Sequence, residues 1–214
     1  MVAMAATTAT LAVPRALGRL AYLRPAVTNG ELYRLLSAHL VHAQARHLTL
    51  DLAALALAFA LVGRELSARR WSALLGASAV SASLAVHWLS PETQAFAGLS
   101  ALVHAVLGGG AAALLRRRAA GGVLLVAGLA AKLALERLRG PFALAFAGST
   151  GVAIDAHLYA SLAGAGFGWW LARRAASQAT ASAAQVSRPS AAGPTSASSR
   201  PSNARTPPSA ASEL

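Results

Sequence analysis

"FAGLSALVHAVLGGGAAALLRRR", residues 96–118, decides the fold. From 98 to 115 every residue is apolar or small except Ser100 and His104, and the run stops at Arg116, Arg117 and Arg118. An α-helix rises about 1.5 Å per residue, so roughly 17–25 apolar residues cross the roughly 30 Å of hydrocarbon in a bilayer. The stretch therefore reads as a membrane span that ends on a basic anchor. Similar apolar runs lie at about 46–63, 71–89, 121–138 and 151–171. A weaker one, about 2–20, contains "VAMAATTATLAV" and is followed by Pro14, Arg15 and Arg19. It is expected to be a short helix or the end of one that begins upstream. No basic residue precedes its apolar part, which disfavours a cleaved signal peptide.

The composition fits this reading. With 56% hydrophobic and only 12% charged residues among 214, the chain is too apolar for an ordinary soluble domain. It has no cysteine, which excludes disulfides, thiolate catalysis and cysteine metal sites. The net charge of +12 does not point to nucleic acid, because the arginines fall in short clusters between apolar runs and not along one helical face. Arg64, Arg69 and Arg70 follow the second span, Arg116 to Arg118 the fourth, and Arg173 with Arg174 the sixth. All three clusters lie on one side, which is therefore cytoplasmic. Both termini are then inside, and loops 90–97 and 139–150 face outward. Trp71, Trp169 and Trp170 suit interfacial anchors. The expected fold is all-α, a polytopic six-transmembrane-helix bundle over residues 1–174. A Ser/Ala/Pro-rich cytoplasmic tail, 175–214, lacks the large apolar residues to fold and is expected to be disordered.

Polar side chains in hydrocarbon cost several kcal/mol unless they are partnered, so each one asks for a reason. Alternate spans run in opposite directions, which places the starts of the second, fourth and sixth at one level near the outer face. His47, Ser100 and His157 share that level. A serine hydroxyl becomes a useful nucleophile when a neutral imidazole takes its proton, so Ser100 and His157 are a candidate dyad. Asp155 is two residues from His157 and points away from it on a helix, so two residues are expected and not three. Ser100 lies in a first helical turn, where unpartnered N–H groups can bind an oxyanion. Gly98 would let a substrate backbone come close. His47 and Asp51 share one helical face, with His42 on the loop before them, and that face is expected to supply a further oxyanion donor.

Other readings compete. The small residues of "GLSALVHAVLGGG" suit close helix packing alone. His39, His42, His47 and Asp51 have ligand types that suit a metal. His104 is one turn from Ser100 and is read as a packed histidine bonded to a nearby carbonyl. Lys132 and Glu136, four residues apart, neutralise each other without needing a function.

Three segments resemble one family. "HLVHAQARHLTLD" (39–51) is similar to the rhomboid pattern of histidine, four residues, histidine, three residues, asparagine, with Asp51 where the asparagine belongs. "GLSA" (98–101) resembles the rhomboid Gly-x-Ser-Gly with Ala101 for the last glycine, and "DAHLYASLAG" (155–164) resembles the sixth-helix histidine segment. Within the rhomboids, "GLSALVH", "AAKLALERLRG" and "VAIDAHLYASLAG" look most like the rhombosortase branch, over about residues 30–171. The resemblance implies an intramembrane serine protease of the bacterial inner membrane. Its substrates would be membrane-anchored exported proteins with a C-terminal Gly-Gly motif, one transmembrane helix and a basic end. No cofactor or metal is implied. Ser100 would be the nucleophile and His157 the general base, His47 and the Ser100 N–H the oxyanion donors, and His42 part of the cavity lining. Because an ionised Asp51 only accepts hydrogen bonds, it is expected either to be protonated by burial or to be turned away to orient His47. Three rivals remain: a rhomboid-like pseudoprotease that binds helices without cutting, favoured by Asp51 and Ala101 and opposed by the retained Ser100 and His157; a transporter using Asp51, Lys132 and Glu136, for which no inverted repeat is visible; and a general rhomboid that cuts any helix-destabilised segment and differs only in substrate choice.

Overall fold

A computed structural model describes residues 14–140 and 153–186. Most of the first expected span, the outward loop beyond residue 140 and the tail from 187 lie outside the described residues. The chain divides into two units, Met1–Gln178 and Ala179–Leu214. The order of elements is α1 (Pro14–Leu20), β1 (Tyr22–Leu23), α2 (Arg24–Thr28), α3 (Arg34–Ser37), a 3-10 turn (Ala38–Leu40), α4 (Ala45–Val62), α5 (Ala68–Leu89), β2 (Ala95–Phe96), α6 (Ser100–Arg116), α7 (Ala120–Arg139) and α8 (Ile154–Val186).

The expected runs 46–63, 71–89, 98–115 and 121–138 lie within three residues of the ends of α4, α5, α6 and α7, and 151–171 begins within three residues of α8 but stops well short of its end. There α8 runs on to Val186, through twelve residues of the stretch expected to be tail. Continuing a formed helix needs no new nucleus, and the alanine-rich 175–186 segment has the propensity to do so without a core to bury. Helices α4 and α5 are long and apolar enough to cross a membrane, and α6 is apolar but shorter. Large apolar side chains face outward on α5 and α7: Trp88 is 75% exposed and Val123 60%. In water such a surface would be a liability, whereas in lipid it is the expected exterior.

Helix α6 is the hub, packed against α4, α5 and α7 and buried along most of its length. Its small residues make this possible. A Cβ at Gly108 would collide with the Ser161 carbonyl of α8, and one at Gly164 would collide with the Ala105 backbone of α6. The two backbones thus touch directly. The start of α6 is held from the other side by a short antiparallel ribbon pairing Tyr22 with Phe96 and Leu23 with Ala95. The Tyr22 and Phe96 rings stack at 4.7 Å. Arg24 caps the carbonyl end of α5, donating to His87 O at 2.5 Å, Ser90 O at 2.6 Å and Val86 O at 3.0 Å. The segment that delivers Ser100 is therefore pinned to the body of the bundle.

Candidate active site

Ser100 is the first residue of α6, after Leu99 at its N-cap. His157 is the fourth residue of α8 and is buried. The glycine-mediated contact of α6 with α8 brings the two together: Ser100 Oγ lies 2.9 Å from His157 Nε2. The far nitrogen of His157, Nδ1, lies 3.0 Å from Glu136 Oε2 and 3.4 Å from Lys132 Nζ. Lys132 Nζ is 2.7 Å from the other Glu136 oxygen, Oε1. It is also 2.5 Å from His104 Nε2, and His104 Nδ1 donates to the Ser100 carbonyl at 2.7 Å. The His104 and His157 rings stack at 4.1 Å and 10°. His104 is thus bonded to a backbone carbonyl one turn away, with its ring against the histidine that faces Ser100.

Asp51 organises a second cluster. Its Oδ2 accepts from Leu99 N–H at 2.8 Å and from His42 Nε2 at 3.0 Å, and His47 Nε2 stands 3.3 Å away. Asp51 Oδ2 thus serves as the acceptor of the backbone N–H just before the nucleophile. A carboxylate beside the first N–H groups of α6 is also favoured by the helix dipole. Gly98 has φ +130°, and a Cβ there would lie 2.7 Å from His47 Cε1. The space that the sequence suggested for a substrate backbone is filled by His47. His42, expected in the cavity lining, is instead turned onto Asp51 and is 1% exposed.

The remaining polar residues are structural partners. His39 is fully buried, with Nε2 3.0 Å from Ser83 Oγ and 3.2 Å from Ala79 O, away from the Asp51 cluster. Asp155 accepts from Ser90 Oγ at 2.5 Å and pairs with Arg137, which ties the start of α8 to the ends of α5 and α7.

Helices α4 and α7 both pack on α6, and between them lies a cavity of about 590 Å³. Its walls are apolar, with Leu50, Leu57 and Leu61 of α4 facing Leu124 and Leu129 of α7. Its polar end is formed by Ser100, His104, Lys132, Glu136, His157 and Asp51. Two sets, His42–His47–Asp51 and His104–Glu136–His157, bring potential ligand atoms within 4.8 Å of one another. Neither suits a cation well. The Leu99 N–H already points at Asp51 in the first, and the Lys132 ammonium already neutralises Glu136 in the second.

Glu136 was legible from the sequence only as half of a neutral pair. The depth argument reaches it all the same, because the end of the fifth span returns to the level where the fourth and sixth begin.

These observations define an α-helical membrane protein with lipid-facing apolar helices and a serine–histidine contact at the head of a buried central helix. The Rhomboid domain family model matches residues 29–174, and the chain belongs to the rhomboid family, whose members are generally serine intramembrane proteases. No curated protein matches the chain.

Proposed function

We propose that this protein is an intramembrane serine endopeptidase of the rhombosortase type, cleaving membrane-anchored exported proteins near a C-terminal Gly-Gly transmembrane tail. The observation that carries the reading is the 2.9 Å approach of Ser100 Oγ to His157 Nε2 at the polar end of an apolar cavity. A substrate helix lies along that cavity and unwinds at its glycines, each of which weakens a helix by about 1 kcal/mol relative to alanine. Ser100 Oγ then attacks the exposed carbonyl carbon while His157 Nε2 takes the hydroxyl proton. The carbonyl oxygen becomes an oxyanion, held by the N–H groups of the first turn of α6. His157 returns the proton to the leaving amine, the C–N bond breaks, and an acyl-enzyme remains on Ser100. Water, deprotonated by His157, releases the acid product and restores the serine. In this reading the bundle has six spans, both termini are cytoplasmic, and the protein sits in the bacterial inner membrane. The Gly-Gly specificity rests on the resemblance of the "GLSALVH", "AAKLALERLRG" and "VAIDAHLYASLAG" segments.

The test is an exported reporter ending in Gly-Gly, an apolar helix and arginines, co-expressed with wild-type protein or with Ser100→Ala. Immunoblots should show cleavage with wild type alone. Equal cleavage with Ser100→Ala would remove the nucleophile. Absence of cleavage with both proteins in the membrane, together with no Ser100-dependent fluorophosphonate labelling, would favour a helix-binding pseudoprotease.

A further inference from the structure

One assignment of donors satisfies the short contacts at the polar end of the cavity, with the 3.4 Å approach of Lys132 Nζ to His157 Nδ1 left as a contact between two donors. The Ser100 carbonyl only accepts, so His104 Nδ1 carries a proton and donates to it at 2.7 Å. With a neutral His104, Nε2 is then the acceptor of the Lys132 ammonium 2.5 Å away. Lys132 gives a second proton to Glu136 Oε1 at 2.7 Å. The other oxygen of Glu136, Oε2, also only accepts, which puts a proton on His157 Nδ1 at 3.0 Å. The lone pair of His157 is left on Nε2, facing Ser100 Oγ at 2.9 Å. The bonds close into a ring that leaves Ser100 at its hydroxyl and returns to it at its carbonyl.

We infer that Glu136 is a positioning residue for the Ser100–His157 pair, making the site a Ser–His–Glu arrangement whose acid comes from the neighbouring helix α7. The inference rests on the protease reading above. Glu136 is 3% exposed, and a lone carboxylate there would be costly; Lys132 compensates it through one oxygen and leaves the other for His157. The carboxylate fixes the imidazole tautomer and ring orientation, and its charge stabilises the imidazolium formed when Ser100 gives up its proton. The charged and titratable groups around His157 are Glu136 and Lys132 from α7, His104 from α6 and Asp51 from α4. Among the described residues only Glu136 offers an acceptor to Nδ1. The helical repeat of α7 explains the supply, since residues 132 and 136 share one face. A Glu136 whose only task was to neutralise Lys132 would need no partner on Oε2.

The test uses full-length protein in detergent. The rate of fluorophosphonate labelling is compared for wild type, Ser100→Ala, Glu136→Gln and Glu136→Asp. Ser100→Ala should abolish labelling. Glu136→Gln should slow it by up to about ten-thousandfold, the loss seen when a triad acid is replaced by its amide. Glu136→Asp, which keeps the charge, should recover part of the loss. Ser100-dependent labelling that is unchanged in Glu136→Gln would overturn the positioning role and leave the protease reading standing. A second measurement needs no variant to fold: nitrogen-15 NMR of histidine-labelled wild type should show His157 as the Nδ1–H tautomer at neutral pH. The Nε2–H tautomer would overturn the inference whether or not the wild type labels.

Discussion

Gly98→Ala tests whether the approach to Ser100 is as rigid as its geometry implies. Gly98 sits at φ +130°, where a residue with a Cβ is strained by roughly 1–3 kcal/mol. The added methyl would lie 2.7 Å from His47 Cε1, 3.0 Å from His47 Nε2 and 3.3 Å from Asp51 Oδ2. His47 must therefore move, which disturbs its contact with Asp51, a change worth about 1 kcal/mol. Asp51 also receives the Leu99 N–H, so the disturbance reaches the residue that precedes the nucleophile. Together these come to about 2–4 kcal/mol, or a fall in Tm of roughly 5–15 °C for a chain of this size. Displacing Ser100 by about 1 Å is expected to slow fluorophosphonate labelling by about a hundredfold. Gly76→Ala is the control: nothing lies within 4 Å of a Cβ there. It sits inside α5 and should leave labelling unchanged while raising stability slightly. If Gly98→Ala labelled within twofold of wild type with an unchanged Tm, the packing of residue 98 against His47 would not hold the site, and the reasoning would fail.

Asp51 and the buried His39 each carry a further prediction. Asp51→Asn keeps a carbonyl oxygen for the Leu99 N–H and should retain labelling within about tenfold. Asp51→Ala removes the carboxylate shared by that N–H and His42, leaving the N–H only its longer 3.2 Å contact with His42 Nε2, and should cost about 1–3 kcal/mol of stability by thermal unfolding in detergent, so equal behaviour of the two variants would refute the anchoring role. His39, in the 3-10 turn outside the spanning helices, is fully buried, and desolvation lowers its pKa from 6.5 to about 4. The folded state thus binds its proton less readily than the unfolded chain. The His39 contribution is complete above pH 6.5 and is lost as pH falls towards 4, amounting to about 3 kcal/mol. The stability difference between wild type and His39→Gln should shrink by that amount over this window, and a pH-independent difference would contradict the burial.

Much of the bundle is legible in the sequence because a membrane imposes few choices. Long apolar runs must become helices there, and arginine clusters must mark their ends, so 46–63 and 71–89 fall within three residues of α4 and α5. The Ser100–His157 contact is legible by depth along the membrane, a one-dimensional argument that needs no side-chain geometry. What it lacks is azimuth. Depth alone does not tell which face of α4 or α7 turns inward, so the sequence offers His47 to an oxyanion and Gly98 to a substrate, where the structure packs one against the other. For the same reason the sequence shows Lys132 and Glu136 only as a pair closed on each other. An i, i+4 pair satisfies itself on paper, and the spare carboxylate oxygen becomes visible only when α8 supplies His157.

The same interactions that let ionisable groups survive in this bundle also aim its nucleophile. Seven side chains, those of His42, His47, Asp51, His104, Lys132, Glu136 and His157, lie where hydrocarbon would otherwise penalise each of them. They are compensated in two clusters, one centred on Asp51 and one on Glu136. Both clusters end on the first turn of α6: the Asp51 cluster on the Leu99 N–H, and the Glu136 ring on the Ser100 carbonyl and hydroxyl. Removing either cluster would leave buried charge without a partner and would also release the residue at or just before the nucleophile. Stability and orientation are therefore coupled at Ser100. Variants in the Asp51 cluster should lose both together, and Glu136→Gln, which takes the counter-charge from the Lys132 ammonium, should lose rate and stability as well.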